Sequence, residues 1–289
     1  MIMDQTSSVS IRFCGITVAF RFPSPVQLGS EFTAFLCDGR AEPDDVFQVR
    51  LLKEPLVPDR PVYANNGNDF IYQTEKGWLR VYPSLTAEDG CQVACLLCPH
   101  GNHTLFYPAS TWQTYTREDL RCMHLICPEL LLLRHHAFLL HSSVVMSEGK
   151  MILFSGPSGA GKSTQADLWA RFRSAQVING DRCVITERNG RFYGGGSPWC
   201  GTSGIRRHEE APISGIFLVN QALENSVELL HGLQAFAPLF SQILASNHDT
   251  AFMDGLTTLL THLIEQVPIY RLNCRIDQEA VDLVHRTLF

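Results

Sequence analysis

Residues 156 to 164 read Gly-Pro-Ser-Gly-Ala-Gly-Lys-Ser-Thr, a spacing suited to holding phosphate. Glycines at 156, 159 and 161 let backbone amides approach anionic oxygens that a side chain would keep away. A helix opening near Lys162 adds N-terminal donors and positive potential. Lys162 is expected to reach the β and γ phosphates of a nucleoside triphosphate, and the Ser163 hydroxyl to ligate Mg²⁺. The apolar run Lys150 to Phe154 reads as a strand entering the loop, and Ser163 to Phe172 as the helix leaving it. Gly156, Pro157, Ser158, Gly159, Ala160, Gly161, Lys162, Ser163 and Thr164 are therefore the candidate site for ATP or another nucleoside triphosphate.

Phosphoryl transfer also needs an acid near the γ phosphate. Asp181 follows Lys162 after one helix and one short strand, Gln176 to Asn179, an interval that returns the chain to the loop. Two roles are open to it: holding Mg²⁺, or accepting the proton of an attacking hydroxyl. Further on, Gly194 to Gly204 is rich in glycine with one exposed-looking Trp199, which suits a segment that closes over phosphates or an acceptor. Arg206 and Arg207 follow directly. Arg206 is a candidate for neutralising charge on a transferring phosphoryl group, and a solvated basic corner paired with Glu209 and Glu210 is the alternative.

Cys91, Cys95 and Cys98, with His100 and His103 nearby, match an iron–sulfur spacing. Residues 92 to 97 read as a strand, however, which would send Cys95 and Cys98 to opposite faces. The ten cysteines are expected to be reduced thiols used as small apolar residues.

The elements that must position these groups fall into three stretches. Residues 1 to 115 read as a β-rich domain: residues 9 to 22, Phe47 to Leu52, Phe70 to Thr74, Trp78 to Tyr82, Gln92 to Leu97 and Thr104 to Tyr107 carry strand patterning. Asn65-Asn66-Gly67-Asn68, Lys76-Gly77 and Glu88-Asp89-Gly90 mark turns between them. Arg117 to Arg134 has helical spacing, with Pro128 expected to kink or split it, and residues 116 to 135 form a connector. Residues 136 to 289 alternate strands and helices, which predicts an α/β core with strands buried on both faces. Within it Asn189-Gly190 is a hairpin signal, Leu256 to Val267 reads as a helix, and Asp277 is a plausible cap for a helix running to Leu288.

The 289 residues carry 23 Lys and Arg against 29 Asp and Glu, a net charge of −6. With no basic run to track a phosphodiester backbone, nucleic acid is excluded as an expected partner. No apolar stretch approaches a membrane span and no basic-then-apolar leader opens the sequence. A cytoplasmic protein without membrane contact is expected.

Three stretches together carry a family resemblance: Leu140-His141-Ser142-Ser143, the loop preceded by Phe154-Ser155, and Ile178-Asn179-Gly180-Asp181. They resemble HPr kinase and the phosphoenolpyruvate carboxykinases over about residues 130 to 289, most closely the smaller HPr-kinase-related branch. The resemblance implies an α/β P-loop kinase domain with a mixed sheet and flanking helices, preceded here by the β-rich domain. It makes His141 the active-site histidine, where the residue alone would also read as a buried strand histidine. It makes Lys162 and Ser163 the phosphate and metal residues, and Asp181 the second acid of an Asp-Asp pair. Gly180 replaces the first acid. The glycine-rich stretch Gly194 to Thr202 lacks the acid that assists the metal in HPr kinase.

The implied activity is ATP-dependent, Mg²⁺-requiring transfer to a hydroxyl, expected to be a serine of a protein or peptide. A non-catalytic nucleotide-binding partner protein and a small-molecule kinase of the nucleotide type are the alternatives, and an oligomer is compatible with either.

Overall fold

The computed structural model describes residues 6–26, 33–38, 42–56, 58, 60–65, 69–117, 123, 125–201 and 203–289. The chain forms two compact units, Met1–Leu131 and Leu132–Phe289. The divide falls inside the stretch 116–135. Of the helix expected there, residues 118–122 and 124 lie outside the described residues, as do 66–68 of the first turn cluster. What is described is α1 (Trp112–Arg117) and α2 (Pro128–Leu133). Pro128 splits the stretch, as one of the two expected outcomes, and opens α2 at a position whose missing N–H costs no intrahelical bond.

The first unit holds β1 (Thr6–Phe13), β2 (Ile16–Val26), β3 (Asp45–Leu52), β4 (Tyr63–Asn65), β5 (Asp69–Thr74), β6 (Gly77–Thr86), β7 (Gln92–Leu97) and β8 (Asn102–Pro108). They form one eight-stranded sheet in the order β1-β2-β3-β8-β7-β6-β5-β4. The β2–β3 and β3–β8 pairings are parallel and the others antiparallel. Residues 9 to 22, which read as one stretch, are instead two strands of a hairpin. Cys14 and Gly15 both take positive φ, 48° and 79°, the two-residue turn that matches strand twist.

Phe20 stacks on Phe47 at 5.5 Å, and Phe47 lies 4.6 Å from the His103 ring. His103 is buried, with Nε2 2.8 Å from Asp45 Oδ1, while its Nδ1 accepts from Cys98 N–H at 3.1 Å. Both ring nitrogens are thus engaged within the sheet. Among the described residues no group of three His, Cys, Asp or Glu side chains is disposed to hold a metal.

The second unit opens with the long β9 (Ala137–Ser147), then β10 (Lys150–Ser155), α3 (Lys162–Arg173), β11 (Gln176–Asn179), β12 (Arg182–Arg188) and β13 (Arg191–Gly195). It continues with β14 (Glu210–Gln221), β15 (Ser226–Leu230), α4 (Leu233–Phe240), α5 (Thr250–Gln266), β16 (Ile269–Cys274) and α6 (Gln278–Leu288). Asn189 and Gly190, both at positive φ, turn β12 into β13.

The sheet is mixed: β10–β14 and β14–β16 are parallel, and all other pairings are antiparallel. A mixed sheet is what the resemblance implies, and β9, β10 and β14 carry the contiguous buried runs expected of strands covered on both faces, whereas β15 is largely exposed. The pairings also close on themselves. Strand β10 pairs with β9 and β14, β9 with β12, β12 with β13, and β13 with β14, while β16 and β15 extend outward from β14.

The alternation of side chains along a strand places Ile152 and Phe154 of β10 on one face and Phe217 and Val219 of β14 on the same face. There they pack with Trp169 of α3 and with Val281 and Val284 of α6 in a single core. Helix α6 is capped by Asp277, whose carboxylate accepts from Ala280 N–H at 3.0 Å. Helix α5 starts at Thr250 under an equivalent cap from Asp249, earlier than the apolar spacing from Leu256 indicated. Among the described residues no helix is long and apolar enough to cross a membrane.

Candidate functional site

The carboxyl ends of β10 and β14 and the start of α3 surround the glycine-rich loop. Gly156, Gly159 and Gly161 all take positive φ (143°, 81° and 102°), which L side chains rarely adopt. A Cβ on Gly156 would stand 3.3 Å from Val219 O of β14, so the loop lies close against that strand. Gln221, at the end of β14, donates from Nε2 to Gly159 O at 2.9 Å. Lys162 is mostly buried and folds back into the loop, donating from Nζ to Gly156 O and Pro157 O, each at 2.9 Å. Burial pushes its pKa below the ordinary lysine value, and the negative charge of Asp181 opposes that shift.

The second half of the site is built by β9. His141 Nε2 lies 3.3 Å from Asp181 Oδ1, and Arg182 Nε lies 3.3 Å from Asp181 Oδ2. Asp181 is held below the usual carboxylate range, chiefly by its hydrogen bond with His141. Burial works against this, and Arg182 and Lys162 add to it. The two residues after His141 fix the backbone beside the acid: Ser142 N–H donates to Asp181 O and Ser143 Oγ to Gly180 O, both at 2.9 Å. Ser155, the last residue of β10, donates from Oγ to His141 O at 2.9 Å. The His-Ser-Ser run therefore couples the acid to the strand that launches the loop.

Asn179, fully buried at the end of β11, organises what remains. Its Oδ1 accepts from the N–H groups of Asp181 and Arg182, each at 2.9 Å, and shapes the turn that presents the carboxylate. Its Nδ2 donates to Ser197 O at 3.2 Å, Ser197 Oγ at 3.3 Å and Trp199 O at 2.9 Å. The glycine-rich segment is thereby pinned to the same turn. Trp199 is 1% exposed, which corrects its reading as a surface aromatic: in a glycine-rich stretch a lone indole has its neighbours supplied from elsewhere in the fold.

Where the sequence placed Gly180 instead of an acid, a Cβ would overlap Ser203 Oγ. A Cβ on Gly201 would stand 2.9 Å from Asp181 Cβ. The segment thus lies directly on Gly180 and Asp181. Thr202, within it, lies outside the described residues.

Asp181, His141 and Lys162 are accordingly brought together, and Ser163 is exposed on the first turn of α3. Arg206 joins through its backbone, in an isolated bridge opposite Asn179. Arg207 is anchored by N–H to Ile178 O at 2.9 Å and Nε to Val177 O at 3.0 Å. The roles of Arg182, Asn179, Ser143, Ser155 and Gln221 were not read from the sequence. Asn179 had a usable signal, since an asparagine two residues before an acid is the local chemistry of a side-chain turn.

No family profile matches the sequence, and no curated protein matches it. Among solved structures, the chain is similar to the Hpr(Ser) kinase/phosphatase from Coxiella burnetii. That match has 10% sequence identity and a TM-score of 0.30, and covers 52% of this chain and 95% of that one. The likeness is a distant one of fold, and it assigns no role to any residue of the site.

Proposed function

We propose that the second unit binds a nucleoside triphosphate at residues 156 to 164 and transfers its γ phosphoryl group to a hydroxyl, the acceptor being a serine of a protein or peptide. The observation that carries this reading is the His141-bound carboxylate of Asp181, set close enough to the glycine-rich loop for the charges of Asp181 and Lys162 to act on each other.

The positive-φ glycines and the first turn of α3 offer amides to the phosphates. Lys162 exchanges its two carbonyl partners for phosphate oxygens. Asp181, kept ionised by its neighbours, orients the acceptor hydroxyl and takes its proton as the new bond forms. His141 fixes the carboxylate's direction, and Arg206 is the candidate for a cationic contact with the phosphoryl group. An Mg²⁺ ion that arrives with the phosphates needs only one or two protein oxygens, and the exposed Ser163 hydroxyl and the Asp181 carboxylate fit that demand. When bound, the ion neutralises charge on the β and γ phosphates.

Asp181→Asn is expected to abolish transfer to serine peptides while ATP still binds, as measured by calorimetry and by label transfer from γ-labelled ATP. Wild-type transfer by this variant would sink the assignment. A second reading, a non-catalytic nucleotide-binding protein, draws support from the carboxylate itself, whose two oxygens already face His141 and Arg182. ATP binding by the wild-type chain without Mg²⁺-dependent transfer to any hydroxyl would favour it, and phosphorylation of nucleoside monophosphates would favour a small-molecule kinase.

A further inference from the structure

Most serines near the site are structural. Ser142, Ser143, Ser155 and Ser197 are buried, and their hydroxyls donate to backbone carbonyls. Ser203 differs in each respect. It is exposed, and the one hydrogen bond described for its Oγ is accepted from Ile205 N–H at 3.3 Å, so the hydroxyl proton remains available to a base. Its position is set by contacts on both sides. The Oγ occupies the space a side chain at Gly180 would take, and a Cβ on Gly201, two residues earlier, would reach within 3.3 Å of Asp181 Oδ1. The turn is closed by Gly204 N–H donating to Gly201 O at 3.1 Å, and its base is tied to β11 through Asn179 and Arg207. A serine hydroxyl thus lies against Gly180, one residue before the acid assigned to activate a hydroxyl, on a turn whose Gly201 packs on that acid's side chain.

We propose that Ser203 is a phosphoryl acceptor within the chain, modified by the same chain's own site. The inference rests on the reading of that site as a serine kinase. In the step, Ser203 Oγ forms a bond to the γ phosphorus as its proton passes to Asp181. The bond between that phosphorus and the β–γ bridging oxygen breaks, and the electron pair leaves with the nucleoside diphosphate. Asp181 then releases the proton to water. The product is phosphoserine at position 203, with about two negative charges at neutral pH. Gly180 acquires a purpose here: a carboxylate at that position would displace the hydroxyl and repel the phosphorylated product.

The full-length protein incubated with Mg²⁺ and γ-labelled ATP, with no other acceptor, is expected to take up phosphate at Ser203, as mapped by fragmentation mass spectrometry. The rate per chain should not change on dilution of the protein, as an intrachain reaction requires. Ser203→Ala should abolish the label, Ser203→Thr should restore it as phosphothreonine at that position, and Asp181→Asn should abolish it, with thermal melts confirming that each variant is folded. A chain that phosphorylates serine peptides but leaves Ser203 unlabelled overturns this inference alone, as does labelling that falls on dilution. A chain that binds ATP and transfers phosphate nowhere overturns the kinase reading and this inference with it.

Discussion

At the scale of single residues, Asn179 does more than its position at a strand end advertises. Its amide joins the turn that carries Asp181 to the segment that covers it, through five hydrogen bonds of 2.9 to 3.3 Å. Truncating it leaves buried donors and acceptors on both sides without partners. Asn179→Ala is therefore expected to cost about 2–4 kcal/mol, read as a lower urea midpoint at unchanged slope; a loss within experimental error would mean water replaces the amide.

The Asp181 carboxyl makes a second prediction. A carboxyl whose folded pKa lies below its unfolded value, about 3.9 for aspartate, adds stability above that value and loses it as pH falls through the folded pKa. Asp181 is of this kind, held down chiefly by His141. The stability gap between wild type and Asp181→Asn should therefore be present at neutral pH and shrink on acidification below about 4. A pH series of urea titrations measures it, and a gap that is constant throughout would contradict the argument.

At the scale of elements, α3 is both the start of the loop's helix and a wall of the core. Trp169 is fully buried against Phe154, ring centroids 6.4 Å apart, and its indole N–H has no hydrogen-bond partner among the described residues. Its contribution is consequently one of volume and contact. Trp169→Ala is expected to cost about 3–5 kcal/mol, whereas Trp169→Phe removes an unsatisfied donor along with part of the ring and should cost well under half as much. Chemical denaturation of the two variants makes the comparison, and equal losses would show that the N–H has a partner after all.

Elements are also where the sequence was most readable. The apolar run Lys150 to Phe154 located β10, and Asn189-Gly190 located the β12–β13 turn, because these signals are local. Cys14-Gly15 was passed over as a turn because cysteine is not a residue expected at positive φ. Strand β15, five largely exposed residues from Ser226 to Leu230, is too short to carry a pattern.

Taken whole, the molecule separates what a sequence states from what only a fold can bring together. The glycine-rich loop was legible as a strand-to-helix turn because its residues are contiguous. The partnership of His141 with Asp181 entered only through resemblance, since nothing local in Leu140-His141-Ser142 says which residue the imidazole meets. Gln221 on the loop and Ser203 over Gly180 depend on how distant segments are brought together, and no composition or periodicity reports them. The burial of Trp199 was hidden for the same reason.

The closed circuit of pairings through β9, β10, β14, β13 and β12 also governs when the site comes into being. The β9–β10 hairpin is local and quick to form, but β10 meets its parallel partner β14 only after α3 and three intervening strands have been placed. Contacts so distant along the chain are late events in folding, since their loop-closure entropy is paid before they return any energy. The floor beneath the glycine-rich loop and the Gln221 tether belong to that late step. A newly made or partly unfolded chain thus carries every residue of the motif without the surface on which they pack, and the activity proposed for the loop would wait until the long-range sheet is complete.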